Sequence, residues 1–279
     1  MANMKNANDG GLIMMPQKMY PTDVTDAQYD LIRSLLPPPK SGPGKKGRPV
    51  CDRRKVINGI LYVNTTGCQW RMLPREFGHW NTVYGYFRRW SKDHTWKRIM
   101  NCLRKMERTR HGRKANPSAG SIDSQSVKSA LQGQDVGIDG GKKVKGRKRH
   151  ILVDTLGLIL TVIVTPANEG ERSGLKRLLL DYFSDGVNRL RKIWVDGGYS
   201  GTAIAEWVKN LKKTWRIVLD VSEKDGKGFH VVKKRWVVER TFAWIYNFRR
   251  HAKDYETLTR NSEAMIQISM ISILLRRIA

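Results

Sequence analysis

Three acidic residues stand where a chain can gather carboxylates. Asp123 lies in Ile122-Asp123-Ser124-Gln125-Ser126, at the end of a short β-like segment. Asp196 lies in Trp194-Val195-Asp196-Gly197-Gly198-Tyr199, where an apolar run gives way to glycines that let the backbone turn sharply. Glu239 lies in Arg235-Trp236-Val237-Val238-Glu239-Arg240, inside a helical pattern whose apolar stripe includes Val238, Phe242, Ile245 and Phe248. Taken singly, each acid has an ordinary use as a turn residue, a cap or half of a surface ion pair. Taken together, two strand-end aspartates at one sheet edge, with a helix-borne glutamate beside them, make an all-oxygen site suited to Mg²⁺ or Mn²⁺. Like charges in one place are costly unless a cation balances them. The chemistry this points to is two-metal phosphoryl transfer, in which one ion activates the attacking oxygen and the other stabilises the leaving one.

The composition names the substrate class. The chain has 279 residues, with 52 Lys+Arg against 25 Asp+Glu and a formal net charge of +27. That balance fits a nucleic-acid partner. With 40% hydrophobic residues it is a folding chain, not a disordered basic tail. Cys51, Cys68 and Cys102 form no C-x-x-C pair, which argues against a zinc site or a disulfide framework and predicts three small core residues in a reducing compartment. The apolar runs at 156–164 and 266–275 are too short to span a membrane, and the first residues contain no secretory signal. A cytoplasmic, nucleoid-associated protein is expected, with no membrane partner and no small-molecule substrate.

The elements that must position these acids can be read in order. Residues 1–20 have no periodicity and read as a flexible leader. Thr25-Asp26-Ala27-Gln28 is a capping-box pattern that opens a helix carrying Leu31, Ile32, Leu35 and Leu36 on one face, and Pro37 to Pro39 end it. The Pro, Gly and Lys residues of 37–49 predict a solvated loop, within which Gly47-Arg48-Pro49 resembles a minor-groove hook. A helix from Arg53 breaks near Gly67; a third buries Val83, Tyr84, Phe87 and Trp90; a fourth buries Trp96, Ile99, Met100, Leu103 and Met106. Trp70, Trp80, Trp90 and Trp96 fall among these stripes and read as core. Short helices with tight turns suit a DNA reader, with Asn81, Thr82, Arg88 and Arg89 on the helix favoured for the groove. After a linker at 113–120 the pattern changes to strands at 121–124, 150–154, 158–164, 191–195 and 216–221. Helices are expected at 173–183, 202–213, 236–253 and 262–277. An α/β domain with a mixed sheet follows at 121–279, preceded by an all-helical DNA-binding domain at 21–112.

The order Asp123, Asp196, Glu239 resembles the ribonuclease-H-like core of DDE transposases. Longer segments carry the resemblance further: IDSQSVKSA, GGKKVKGRKRHILVDTLGL, VDGGYSG and VVERTFAWIYNFRRHAKDYE are similar to transposases of bacterial insertion sequence family 5, within the insertion sequence 4-like superfamily. The N-terminal WRMLPREFGHWNTVYGYFRRW is similar to that family's helical N-terminal domain. The family's glutamate motif places Tyr and Arg before the Glu and Lys after it; Arg235 and Glu239 match, while Val232 and Tyr246 stand at the Tyr and Lys positions. On a continuous helix Arg235, Glu239, Tyr246 and Arg250 lie near one face, so Arg249 or Arg250 is expected to supply the missing phosphate contact.

The resemblance implies binding to terminal inverted repeats, cleavage and strand transfer at one metal site of Asp123, Asp196 and Glu239, with two Mg²⁺ or Mn²⁺ ions and a homodimer on the DNA. The alternatives are a non-catalytic DNA-binding regulator derived from such an enzyme, and a metal-dependent nuclease that cuts without joining. Lys142, Lys143, Lys145, Arg147, Lys148 and Arg149 form a charge run expected to be a loop that clamps the DNA backbone, with Arg88, Arg89, Arg235, Arg249 and Arg250 as further DNA contacts. The 43 residues before Glu239 leave no room for a large insertion. Met265, Ile268, Ile271, Leu274 and Leu275 on the last helix suit either core or dimer interface.

Overall fold

The computed structural model describes residues 18–38, 51–130, 133–184, 186, 189–199, 204, 206–210, 216–221 and 236–279. The leader, most of the Pro/Gly/Lys loop with its Gly47-Arg48-Pro49, Val232, Arg235 and much of the 202–213 helix lie outside them.

Four helices come first: α1 (Asp26–Arg33), α2 (Arg53–Thr66), α3 (Trp80–Lys92) and α4 (Thr95–Arg110). α1 opens with the capping box, the Gln28 N–H donating to Thr25 Oγ1 at 3.1 Å and the Thr25 N–H to Gln28 Oε1 at 3.0 Å. α2 is capped by Asp52, which accepts from the N–H groups of Arg54 and Lys55, and it ends at Gly67 with φ +71°. A Cβ at Gly67 would also sit 3.1 Å from the backbone of Arg249, so both conformation and space call for glycine there.

The sheet follows: β1 (Ala119–Lys128), β2 (Gly137–Asp139), β3 (Val144–Asp154), β4 (Ile159–Pro166), then helix α5 (Glu171–Ser184), β5 (Lys192–Val195) and β6 (Val218–Val221). β3 pairs antiparallel with β1 on one side, and with β4 and the short β2 on the other. β5 joins β1 in parallel, and β6 joins β5 in parallel. Three antiparallel strands, with two parallel ones added beside the first, give the mixed α/β arrangement expected of a ribonuclease-H-like core. Helix α6 (Trp236–Tyr246) and the C-terminal helix α7 (Thr259–Ile278) complete the chain.

Strand alternation divides the core into two layers. Ile122, Leu152 and Leu160 pack with Leu175, Leu178 and Leu179 of α5 on one face. Ile151, Val153 and Val162 pack on the other face with Val238 and Phe242 of α6 and with α7. The second layer is continuous with Val56, Ile60, Phe87, Trp90 and Leu103 of the N-terminal helices, because α7 lies among them. Two buried polar links tie them together: Gln28 Nε2 donates to the Leu275 carbonyl at 3.3 Å, and Asn64 Nδ2 to that of Met265 at 3.1 Å. Met265, Ile268, Ile271, Leu274 and Leu275 are therefore core residues.

Several expectations change. Asp123 lies in the middle of β1 and does not end a strand, and Met106 on α4 is exposed. The charge run is not a loop: a turn covers Gly140–Lys143, and β3 begins at Val144 with Arg147, Lys148 and Arg149 buried. The helix expected over 236–253 stops at Tyr246, because Phe248 takes an extended conformation (φ −92°, ψ 114°) and buries its ring before a turn over Arg249–His251. The three cysteines are free but only partly buried. Among the described residues no helix is long and apolar enough to cross a membrane.

Candidate active site

β1 and β5 bring two of the predicted acids side by side. Ser121 is in register with Trp194, so two residues further on Asp123 comes level with Asp196, which follows the last residue of β5. Asp123 is cross-strand to Ile151, whose side chain belongs to the layer under α6, so alternation directs Asp123 to that face. Both aspartates are half-buried. Asp123 Oδ1 accepts the N–H of Ser124 at 2.7 Å, and Asp196 Oδ1 accepts that of Gly198 at 3.0 Å. The second bond shapes the Gly197–Tyr199 turn that ends the strand.

That turn presents Tyr199, which is only 1% exposed. Burial, then the carboxylates of Glu171, Asp123 and Asp196, push its phenol far above the usual range, so the hydroxyl keeps its proton. Glu171, the first residue of α5, is the acid that the sequence reading missed. Its two oxygens accept from Ser124 Oγ at 2.9 and 2.8 Å, and Oε1 lies 3.2 Å from Lys148 Nζ. Burial alone would raise the Glu171 carboxyl, but the Ser124 hydrogen bond and the Lys148 ammonium hold it below its ordinary value. An acid in the first turn of a helix is commonplace as a partner of the helix dipole, so nothing in Asn168-Glu169-Gly170-Glu171 separates this one by sequence.

Glu239 is on α6, the helix that covers the face bearing Asp123, through Val237, Val238, Thr241 and Phe242. Its own side chain lies on the exposed side of that helix. Among the described residues no three His, Cys, Asp or Glu side chains are close enough together to hold a metal ion. The fold thus places Asp123 beside Asp196 and sets Glu239 on the same side of the sheet without closing a three-acid cluster.

The basic residues separate into two groups. Lys142, Lys143 and Lys145 are exposed at the turn into β3, as are Arg249 after α6 and Arg88 and Arg89 on α3. The guanidiniums of Arg88 and Arg89 lie 5.8 and 4.9 Å from the rings of Tyr84 and Tyr86. By contrast Arg147 is fully buried, Lys148 is held by Glu171, and the Arg149 guanidinium donates to the His251 carbonyl at 3.2 Å. Arg250 is buried against Glu256 at 2.6 Å and also donates to the Cys68 carbonyl. Arg147, Lys148, Arg149 and Arg250 therefore serve the fold, and the DNA-contact role expected of them fails because a phosphate cannot reach them. Arg250 does not line up with Glu239, since α6 has already ended.

Residues 24–100 match a family model described as a putative transposase of the IS4/5 family, and residues 114–275 match the transposase DDE domain. An uncharacterized 16.2 kDa protein of insertion element IS402 from Burkholderia cepacia is 33% identical over 117 residues, which covers 41% of this chain and 78% of that protein. A putative transposase for IS402 from the same organism is 30% identical over 111 residues, 38% of this chain and 51% of that protein. The chain therefore spans about half the length of that second relative. Among solved structures, the Mos1 strand transfer complex overlaps with a TM-score of 0.25 at 10% identity, over 85% of this chain and 80% of that one. With the DDE model covering more than half of it, the chain belongs to the DDE transposases of the IS4/IS5 family.

Proposed function

We propose that this chain binds the terminal inverted repeats of an insertion sequence, cleaves a phosphodiester there to free a 3′-hydroxyl, and joins that hydroxyl to target DNA. The observation that carries the reading is the pairing of Asp123 and Asp196 at one level on adjacent strands, within a DDE domain. The donors at that point are hard carboxylate oxygens, with neither thiol nor imidazole among them, and they fit Mg²⁺ or Mn²⁺. Asp123 and Asp196 would hold two such ions, and Glu239 would complete the set from α6. Bound divalent ions supply activation of the attacking oxygen and charge neutralisation at the leaving one.

The remaining work falls to residues that hold DNA. Lys142, Lys143 and Lys145 lie at the far end of the β1–β3 ladder. Five residues of strand separate Asp123 from Lys128, the partner of Gly146, so the lysines stand roughly 17–20 Å from the aspartates. That distance suits a grip on the duplex backbone flanking the reacting phosphate, with Arg249 nearer to α6. Phosphate contacts give affinity without sequence, so recognition of the repeat is assigned to the exposed face of α3, with Asn81, Arg88 and Arg89. Two ends must be processed together, which calls for a homodimer on DNA in the cytoplasm, where the nucleoid lies.

The test is Mg²⁺-dependent cleavage of a duplex carrying the repeat, comparing wild type with Asp196→Ala while following binding. Cleavage that vanishes in the variant while binding persists supports the reading. Tight binding by the wild type without cleavage in Mg²⁺ or Mn²⁺ transfers the function to a regulator, and cleavage without joining of paired ends makes the protein a nuclease.

A further inference from the structure

We propose that Glu171 is a positioning residue of the catalytic centre, locking the turn that carries Asp196 against the strand that carries Asp123. This rests on the assignment of those two aspartates as the metal-holding pair. One contact runs to β1: Ser124 Oγ donates to both Glu171 oxygens, while the N–H of the same serine donates to Asp123 Oδ1. A second runs to the turn after β5, where a Cβ built on Gly198 would lie 3.1 Å from Asp196 Oδ1 and 3.8 Å from Glu171 Cγ. The glycine thus lies beside both acids, and the buried Tyr199 next to it faces the Glu171 carboxylate. A third contact comes from β3 through Lys148, whose ammonium also donates to the Glu169 carbonyl at 2.9 Å and lies 3.8 Å from Asp139. Two strands and the turn after β5 therefore meet at one side chain that is itself only 27% exposed. Without it, Ser124 and Lys148 lose their shared acceptor, and the two glycines ahead of the buried Tyr199 give the backbone freedom to move Asp196 relative to Asp123. Removing groups that orient metal ligands typically lowers metal affinity by about 10–100-fold.

The experiment uses the full chain without DNA and titrates Mn²⁺, following free ion by electron paramagnetic resonance, for wild type, Asp196→Ala, Glu171→Ala and Glu171→Gln. Duplex binding in EDTA and thermal melting are measured alongside. The expected result is loss of tight Mn²⁺ binding in Asp196→Ala, weakening by about tenfold or more in Glu171→Ala, and recovery to within about threefold of wild type in Glu171→Gln. The glutamine keeps an oxygen to accept from Ser124 and Lys148, so a hydrogen-bonding role predicts rescue. Duplex binding in EDTA stays at the wild-type level throughout. Wild-type Mn²⁺ affinity in Glu171→Ala overturns the inference, as does equal weakening in Glu171→Gln, which would make Glu171 a direct ligand. If Glu171→Ala fails to fold, Ser124→Ala, which removes the hydroxyl held by Glu171, takes its place: weakened Mn²⁺ binding supports the inference and wild-type affinity overturns it. Unchanged Mn²⁺ affinity in Asp196→Ala overturns the underlying site assignment instead.

Discussion

Replacing Arg147 by methionine separates the structural account of the charge run from a DNA-binding one. The Arg147 guanidinium is fully buried and donates to Asp254 Oδ1 at 3.1 Å, Ser262 Oγ at 3.0 Å, and the carbonyls of Glu256 and Thr257 at 2.7 Å and of Gln134 at 3.0 Å. It therefore joins β3 to the segment leading into α7. Asp254, itself 2% exposed, loses its cationic partner in the variant. Breaking a buried pair from one side costs about 3–5 kcal/mol, mostly because the other charge remains buried. At about 2–4 °C per kcal/mol for a chain of this order of size, the melting point falls by roughly 6–20 °C. Urea or thermal denaturation of the variant gives the number. A double variant, Arg147→Met with Asp254→Leu, should recover part of the loss, since no unpaired charge is left. The reasoning is refuted if Arg147→Met unfolds within about 0.5 kcal/mol of wild type while the salt dependence of duplex binding flattens by about one unit of slope.

Exchanging Lys142, Lys143 and Lys145 together for alanine should leave the melting point nearly unchanged and reduce the slope of log K against log salt by about 2.7, roughly 0.9 per phosphate contact; an unchanged slope removes these lysines from the DNA interface. Burial lifts the Glu263 carboxyl to about 7 although it accepts the Val164 N–H. A carboxyl raised in the folded state contributes no penalty below its unfolded value near 4.5 and loses stability as pH climbs from there through 7, so Glu263→Gln should stabilise the protein at pH 8 by about 1–3 kcal/mol and flatten that interval in unfolding curves. Ile268→Ala, on the buried side of α7, should cost about 2–5 kcal/mol in denaturation without altering the oligomeric state on a sizing column, as befits a core position.

Much of this architecture is legible in the residues. The capping box at Thr25, the stop at Gly67, the strand pair around Gly157 and the apolar stripes of α3 and, Met106 apart, α4 are local signals, and these elements form where local chemistry says they should. What escaped reading depends on contacts between distant parts of the chain. Arg147 sits in a run of cations, and only the arrival of Asp254 and Ser262 from more than a hundred residues away makes its burial possible. α6 stops at Tyr246, where Phe248 turns extended and Arg250 reaches Glu256, a buried partner that the helical pattern does not announce. Asp123 and Asp196 were legible through their order with Glu239 and the segments around them, although Asp123 lies within β1 and not at its end. Glu171 was not, because its meaning comes from Ser124 and Tyr199 on other elements.

The most direct test of the aspartate pair as the metal-holding centre is to replace Asp196 by cysteine and measure cleavage of a repeat-bearing duplex in Mg²⁺ and in Mn²⁺. A thiolate is a poor ligand for Mg²⁺ and a tolerable one for Mn²⁺. The account predicts that Asp196→Cys loses cleavage in Mg²⁺ and regains it in Mn²⁺, while wild type cuts with either ion. Equal activity of wild type and variant in Mg²⁺ would contradict it.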